Sequence, residues 1–382
     1  MIYFDNAATS FPKPISVKNA VATALVKYGA NPGRSGHDLS VETAKQVYEV
    51  RSKAADFFGA GDAEQVVFTQ NCTYALNTAI KGLLNPGDHV VISDMEHNSV
   101  MRPIHTLATR GIITYTMAET SLDDEETVER FRAAIQSNTR AIITTHASNV
   151  FGIKLPVEKL AALAHQHGLY IVVDGAQTAG GEPINISASQ IDFFCTAGHK
   201  GLYGPSGTGL LITPHGHLLT PLVEGGTGST SFDYNQPDFM PDRLESGTLN
   251  TAGIIGLGAG IDFINRHGID LLTRYETTVA RTIYEELVRM HGVKLYTPAP
   301  RHGVNMPLIS FNIEGLTSEE TTAKLNTMGF ALRGGLHCAP SAHKKFGTSD
   351  SGTARISVGA FNTVEQGHDL AYAVRRIVHA GE

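Results

Sequence analysis

The chain has few cysteines and no long hydrophobic segment, and both absences limit what it can be. Its 382 residues include only Cys72, Cys195 and Cys338, which are far apart in sequence. A sparse, odd number of cysteines is typical of a reducing compartment, so we expect free thiols and a cytoplasmic location. No apolar run approaches the roughly 18 residues of a membrane helix, and the first residues lack a signal-peptide pattern. We therefore expect no membrane partner.

Concentrated positive charge and metal-binding motifs are also missing. The formal net charge is −7 without any polybasic block, which argues against nucleic acid as a partner. The chain has 17 histidines, but neither His-Glu-x-x-His nor Cys-x-x-Cys occurs. His165 with His167, and His215 with His217, have an i, i+2 spacing that a strand could use, yet no third ligand is evident nearby. We predict no metal site.

Short apolar segments alternate with helical patterns through the first two thirds of the chain. The predicted strands are residues 64–69, 88–93, 112–117, 140–146, 169–174, 191–195 and 208–212. Short strands that alternate with helices indicate an α/β domain with a mostly parallel sheet flanked by helices.

A second segment near the C-terminus has an α+β pattern, with strands predicted near residues 307–313 and 354–358. Domains usually contain about 50–250 residues, so a chain of this length favours two. We predict a large domain over residues 15–262. Residues 1–14 and 263–382 form a smaller α+β domain in this prediction, and it carries the Cys338 loop.

Polar side chains follow several of the predicted strands where those strands end. They are Thr73, His97, Asn149, Asp174 and Lys200. Ligands of parallel α/β sheets bind at the carboxyl ends of the strands, so five such residues indicate a site there. Each of them taken alone fits a turn, a helix cap or a surface position equally well.

Lys200 lies in a glycine-rich run just after the strand predicted at residues 191–195. Glycines at 198, 201, 204, 207 and 209 allow close approach of the backbone to a ligand. A lysine in this position can bind a carbonyl cofactor covalently, although a surface lysine on a glycine-rich turn is the simpler interpretation.

The residues around Thr73 form a strand, a polar turn and a helix N-terminus. Free backbone N–H groups and the helix dipole favour an anion there, and the Thr73 hydroxyl can add a donor. The alternative is an ordinary N-cap. Together with Lys200 for an aldehyde and Asp174 for a pyridine nitrogen, this anion site fits pyridoxal phosphate (PLP). His97 can stack on such a ring, and Gln177 can donate to its phenolic oxygen.

Nine short motifs resemble those of one enzyme family. They occur in the same order as in the family and span almost the whole length of the chain. They are Asp5-Asn-Ala-Ala-Thr9, Arg34-Ser-Gly-His37, Glu96-His97, Ser148-Asn-Val-Phe-Gly152, Val173-Asp-Gly-Ala-Gln177, Gly198-His-Lys-Gly-Leu-Tyr-Gly-Pro205, Glu245-Ser-Gly-Thr-Leu-Asn250, Arg333-Gly-Gly-Leu-His-Cys-Ala-Pro340 and Arg355 with Phe361-Asn-Thr363. The chain is similar to class V aminotransferases of the fold-type I PLP enzymes, and most of all to group II cysteine desulfurases and selenocysteine lyases.

This resemblance implies the fold, a large domain with a smaller one, and specific roles for the residues. It implies that Lys200 binds PLP and moves the substrate Cα proton, while Asp174 pairs with the ring nitrogen. His97 and Gln177 contact the ring, and Thr73 with neighbouring Cys72, His199 and Asn149 complete the cofactor site. Thr248 reaches the phosphate of a second subunit, which implies a homodimer with shared active sites. The implied substrate-binding residues are Arg355, Arg333, His37, Asn149 and Ala7.

Cys338 determines which reaction the resemblance implies. A buried, inert thiol is the commonest fate of a free cysteine, but Cys338 lies after His337 in a glycine-rich loop near Arg333, where cationic neighbours can lower a thiol pKa. The implied function is conversion of cysteine to alanine with transfer of sulfur to Cys338 as a persulfide, for which a sulfur-acceptor protein is a possible partner. Cys72 and Cys195 are interpreted as packing residues.

Two departures from the family pattern and several alternative functions remain. Ala197 stands where serine is usual, and Asn71-Cys72 stands where Gly-Thr is usual, so phosphate binding depends more on other donors.

The alternative functions are a selenocysteine lyase, a C–S lyase, another class V aminotransferase-like enzyme, or a non-catalytic binding module. The presence of both Lys200 and Asp174 argues against the last of these.

Overall fold

The computed structural model describes residues 1–33 and 36–381, and a seven-stranded sheet forms its centre. The strands are β1 Ile2–Tyr3, β2 Val66–Thr69, β3 His89–Ser93, β4 Thr114–Ala118, β5 Thr139–Thr145, β6 Tyr170–Asp174, β7 Phe193–Ala197, β8 Gly209–Ile212, β9 Val293–Leu295, β10 Leu308–Ile313, β11 Phe330–Ala331 and β12 Ala354–Ser357. The helices are α1 Ile15–Lys27, α2 Asp38–Phe58, α3 Cys72–Leu83, α4 Asn98–Thr109, α5 Asp124–Ala134, α6 Val157–Gln166, α7 Thr251–His267, α8 Ile269–Leu287, α9 Ser318–Thr327, α10 Pro340–Lys345 and α11 Val364–Gly381.

The central sheet has the order β2-β8-β7-β6-β5-β3-β4. Strands β3 to β7 are parallel to their neighbours within that group, whereas β8 is antiparallel to both β2 and β7. The predicted α/β fold with a mostly parallel sheet flanked by helices is confirmed. Since β8 is antiparallel to both β2 and β7, these two strands run in the same direction. The carboxyl end of β2 therefore lies on the same side of the sheet as those of β5, β6 and β7.

Alternate residues of the strands face two separate hydrophobic layers, as the pleat of a strand requires. Val91, Ile142 and Val173 belong to one layer, which α2, α6 and α7 cover. Their neighbours Val90, Ile143 and Val172 belong to the other, which α3 and α4 cover. The sheet is therefore buried on both faces. Polar side chains can gather just beyond the carboxyl ends of its strands.

A smaller three-stranded antiparallel sheet, β12-β10-β9, packs against α8 and α11. Its hydrophobic cluster includes Phe4 from the N-terminal segment together with Phe311 and Val374. The pairing of β1 with β11 ties the same segment to the C-terminal part of the chain. These contacts support our inference that residues 1–14 belong with the C-terminal domain. The predicted boundary at residue 262 lies inside α7, and we place the division at Gly268, where α7 ends.

No helix in residues 1–33 or 36–381 combines the length and apolar character needed to cross a membrane.

Candidate active site

The carboxyl ends of the strands surround a cavity of about 180 Å³, which we call the Lys200 cavity. Most of the residues predicted for the cofactor site line it. They are Cys72, Thr73, His97, Asn149, Asp174, Gln177, His199 and Lys200. These side chains come from five separate connections along the chain, and the parallel arrangement of the strands brings them to one place.

Asp174 ends β6 and is only 4% exposed. Its Oδ1 accepts a hydrogen bond from the backbone N–H of Ala176 at 2.9 Å and from the thiol of Cys72 at 3.4 Å. Both donors are neutral. A buried carboxylate is costly without a compensating charge, so this site favours a ligand that presents a cationic group to Asp174.

Lys200 follows β7 and lines the cavity beside Asp174. Burial lowers the pKa of Lys200 from its ordinary value, and the negative charge of Asp174 partly opposes that effect. A lowered amine pKa increases the neutral, nucleophilic fraction near neutral pH, which suits a lysine that reacts with a carbonyl group.

The N-terminus of α3 forms one end of the cavity. The side chain of Asn71 caps the helix by accepting a hydrogen bond from the N–H of Tyr74 at 2.9 Å. Within the described residues, the N–H groups of Cys72 and Thr73 have no acceptor, as is usual for a first helical turn. Together with the Thr73 hydroxyl, these N–H groups are donors that could bind an anion such as a phosphate.

His199 also lines the cavity, and burial lowers its pKa to about 4. Its imidazole is therefore neutral at physiological pH, and its Nδ1 lies 3.1 Å from the Thr9 hydroxyl. A neutral imidazole can donate one hydrogen bond to an anion without adding charge.

His97 caps α4, and its Nδ1 accepts a hydrogen bond from the N–H of Ser99 at 3.0 Å. Burial lowers the pKa of His97, so a neutral ring lines the cavity. The preceding residue, Glu96, is fully buried and accepts hydrogen bonds from Ser93 and from the N–H of Thr145. Burial raises the pKa of Glu96 to about 8, so this carboxyl group is mostly protonated at neutral pH.

Gln177 and Ala7 contact one another between two cavities. The Gln177 side chain donates to the backbone oxygen of Ala7 at 3.2 Å. A second, smaller cavity of about 70 Å³ is lined by both residues and by Lys200. Ala7 therefore lies near Lys200, as the prediction of a substrate-contacting position requires.

Arg355 is 1% exposed and holds the small domain against this edge of the sheet. Its Nη2 forms an ion pair with Asp5 at 2.6 Å, and its Nη1 donates to the backbone oxygen of Asn149 at 2.8 Å. Its Nε has no partner among the described residues. A buried guanidinium with a free N–H is suited to a carboxylate ligand.

Cys338 is exposed, whereas Cys72 and Cys195 are buried and have pKa values raised by burial. The Nη2 of Arg333 lies 3.9 Å from the Cys338 sulfur. Burial lowers the pKa of His337 to about 2, so that imidazole carries no charge. The cationic neighbour of Cys338 is therefore Arg333 and not His337.

Six predicted site residues do not line the 180 Å³ cavity, and besides Ala7, Arg333, Cys338 and Arg355, described above, they are Thr248 and His37. Thr248 is exposed and lines a different cavity, of about 90 Å³, beside Tyr74. His37 is exposed and caps α2 by accepting a hydrogen bond from the N–H of Ser40 at 3.1 Å. Arg34 and Ser35, which precede it in the same motif, lie outside the described residues.

Three glycines near Lys200 are required by close packing within the protein. A Cβ on Gly201 would lie 2.4 Å from the oxygen of Ala179, and one on Gly198 would lie 2.2 Å from the Thr208 hydroxyl. A Cβ on Gly209 would lie 2.5 Å from the carbonyl carbon of Asn71. These glycines therefore let the Lys200 loop and β8 lie close enough to position the N-terminus of α3.

Sequence reasoning did not assign roles to Asp5, Glu96 or Asn98. Asp5 and Glu96 occur in motifs that were noted, but their importance depends on partners far away in sequence, Arg355 and Thr145. Asn98 donates its backbone N–H to the backbone oxygen of Cys338 at 2.7 Å. Every residue except proline has such an N–H group, so the identity of the side chain does not reveal this contact.

The histidine pairs noted in the sequence have other contacts. His165 and His215 each place Nε2 within 3.1 Å of an Asp192 oxygen, at 3.0 and 3.1 Å. Across the described chain, no three His, Cys, Asp or Glu side chains are arranged to hold a metal ion.

Comparison with known proteins assigns this arrangement to a family. The class-V aminotransferase family model matches residues 2–370. A probable cysteine desulfurase of Synechocystis is 31% identical over 376 residues, which are 96% of this chain and 88% of that protein. A probable cysteine desulfurase of Methanothermobacter thermautotrophicus is 32% identical and covers 100% of this chain and 95% of its own. The apo structure of a cysteine desulfurase from Thermococcus onnurineus matches with a TM-score of 0.92 and 32% identity, over 99% of this chain and 95% of the other.

Proposed function

We propose that this chain, which belongs to the class-V aminotransferase family, is a PLP-dependent cysteine desulfurase. It converts L-cysteine to L-alanine and transfers the sulfur to Cys338 as a persulfide. The observation that carries the proposal is the exposed Cys338 thiol, whose loop is hydrogen-bonded to the wall of the Lys200 cavity through Asn149 and to the first residue of α4 through Asn98. The names of the similar proteins support the same reaction.

The residues present fit PLP. The buried Asp174 carboxylate would pair with the pyridine nitrogen, and the free N–H groups of Cys72 and Thr73 with neutral His199 would hold the phosphate. The Lys200 amine would hold the cofactor covalently, His97 would cover the ring, and Asn149 and Gln177 would complete the site. When bound, PLP supplies an aldehyde and an electron-withdrawing ring that makes the substrate Cα–H bond more acidic.

The other residues of the site act on the substrate. Arg355, with its free Nε, and Arg333 would bind the carboxylate of the amino acid. The Lys200 amine takes the Cα proton and returns a proton to the product. The Cys338 thiolate attacks the substrate sulfur, so that a sulfur–sulfur bond forms while the bond from sulfur to Cβ breaks. The electron pair of the broken bond goes to Cβ, which gains a proton and becomes the methyl group of alanine. His37 and Ala7 would contribute to substrate binding.

A homodimer with shared active sites is part of this proposal. Thr248 is exposed and lies outside the Lys200 cavity, as expected of a residue that serves the site of a second copy. We expect a mixture of Lys200→Ala and Thr248→Ala chains to recover part of the activity that each lacks alone. The control is each variant mixed with itself, and a mixture no more active than these controls contradicts shared sites.

The reaction is tested by the products formed from cysteine and from selenocysteine with purified holoenzyme. We expect equal amounts of alanine and sulfide, measured with a thiol reductant that releases the persulfide. Pyruvate and ammonia in place of alanine would indicate a C–S lyase, and alanine from selenocysteine alone would indicate a selenocysteine lyase. Adding candidate acceptor proteins and following labelled sulfur tests for a sulfur-acceptor partner.

A further inference from the structure

The loop that carries Cys338 has an unusual backbone. We call residues 333–339 the thiol loop. Within it, His337 and Cys338 have φ angles of +48° and +58°, a left-handed conformation that is unfavourable for residues other than glycine. Two consecutive residues of this kind persist only where surrounding contacts hold them.

Two hydrogen bonds from the large domain reach the carbonyl groups of these same two residues. The side-chain Nδ2 of Asn149 donates to the oxygen of His337 at 2.8 Å. The backbone N–H of Asn98, the first residue of α4, donates to the oxygen of Cys338 at 2.7 Å. Asn149 lines the Lys200 cavity, and Asn98 lies between two residues that line it, His97 and Ser99.

Asn149 also contacts the arginine that we propose for substrate binding. Its backbone oxygen accepts a hydrogen bond from Nη1 of Arg355 at 2.8 Å. One residue therefore joins Arg355 to the thiol loop, through its main chain on one side and its side chain on the other. An aspartate of the same shape in this position could not donate to His337 once ionised.

We propose that Asn149 and the backbone N–H of Asn98 form a two-point clamp that positions Cys338 over the cavity. Asn149 then acts on the thiol loop as a positioning residue, in addition to lining the cofactor site. The proposal rests on the proposed function only where it calls Cys338 the sulfur acceptor. The geometry of the clamp itself is independent of the reaction.

Hydrogen exchange of the thiol loop tests the clamp without reference to activity. Loss of one hydrogen bond of ordinary strength should raise the exchange rate of peptides covering residues 333–343 by about five-fold. We expect this from Asn149→Ala and from Asn149→Asp at pH 8, while the exchange of peptides from β5 and β6 stays unchanged. An Asn149→Asp protein that exchanges like the native one would overturn the proposal, since shape alone would then be sufficient. An increase spread equally over β5 and β6 would overturn it as well.

The Asn98 anchor allows a matched pair of variants. Asn98 is at the first position of α4, where proline is well tolerated, and His97 has the extended ψ of 157° that suits a residue before proline. Asn98→Pro removes the N–H and should raise exchange of residues 333–343, whereas Asn98→Ala keeps the N–H and should not. Equal effects of the two variants would contradict the backbone anchor. If the native protein released no sulfur from cysteine but the exchange pattern held, the proposed function would fail and the clamp would stand.

Discussion

The wall of the Lys200 cavity and the thiol loop meet at the same site but are built in opposite ways. The wall consists of residues that follow the strands of the buried central sheet, and among them Asp174 is only 4% exposed. The thiol loop has no strand of its own, exposes Cys338, and keeps a left-handed backbone through hydrogen bonds to the other domain. The position of the wall follows from the buried sheet, whereas the position of the thiol loop depends on a few hydrogen bonds.

The largest effect should come from the wall. We expect Lys200→Ala to abolish both activity and covalent capture of PLP, with turnover below about one thousandth of the native value, because no other group there can replace the amine. Borohydride reduction followed by peptide mapping should label Lys200 in the native protein only. Lys294→Ala, on the exposed strand β9, is the control. A labelled cofactor peptide in the Lys200→Ala protein would contradict the assignment.

In the thiol loop, Cys338→Ala should distinguish the contribution of this loop to sulfide release from the contribution of the wall to cofactor binding. We expect normal cofactor absorbance with sulfide release lowered by about 10³-fold, because the wall stays intact while the nucleophile is lost. Cys195→Ala is the matched control, since it removes a buried thiol of the sheet and should lower stability without abolishing turnover of the folded enzyme. Undiminished sulfide release from Cys338→Ala would leave the thiol loop without a chemical role.

A change of charge in the wall should give a smaller effect. Asp174→Asn keeps the shape but loses the charge that would pair with the ring nitrogen. Hydrogen bonds to charged groups contribute enough that PLP affinity should fall by about 10- to 100-fold. Equilibrium dialysis of the cofactor measures this change, and the Cys338→Ala protein provides a control with native affinity. Equal affinity of the Asp174→Asn protein would exclude the proposed pairing.

The smallest effect concerns stability and its dependence on pH. Burial raises the pKa of Glu96 to about 8 from 4.5, so between these values the folded protein retains a proton that the unfolded chain has released. The free energy of unfolding therefore falls as pH rises through this range. Glu96→Gln removes the titration, so its advantage over the native protein should grow by up to about 1.4 kcal/mol per pH unit between about pH 5.5 and 7.5.

Urea unfolding of the two apo-proteins across this range measures the difference. Cys338→Ala should show no such trend, because the exposed thiol loop contains no comparable buried acid. A constant difference between the Glu96→Gln and native proteins would show that Glu96 is ionised in the folded state.

Much of the wall could be predicted from the sequence because it depends on local patterns. Apolar strands followed by a polar residue located Thr73, His97, Asp174 and Lys200, and the strands formed where the periodicity placed them. The antiparallel direction of β8 and the packing role of Gly198 and Gly201 were not predicted. Both depend on which segments become neighbours after folding.

For this protein, the amino-acid sequence by itself determined the α/β sheet, the polar residues at its carboxyl edge and the family to which the chain belongs. These features follow from periodicity and from residue types close together along the chain. Only the tertiary structure decided that Asp5 pairs with Arg355, that Glu96 is fully buried, and that Asn98 and Asn149 donate hydrogen bonds to the thiol loop. The physical reason is that burial and hydrogen bonding between distant segments exist only after those segments have packed together in the folded protein.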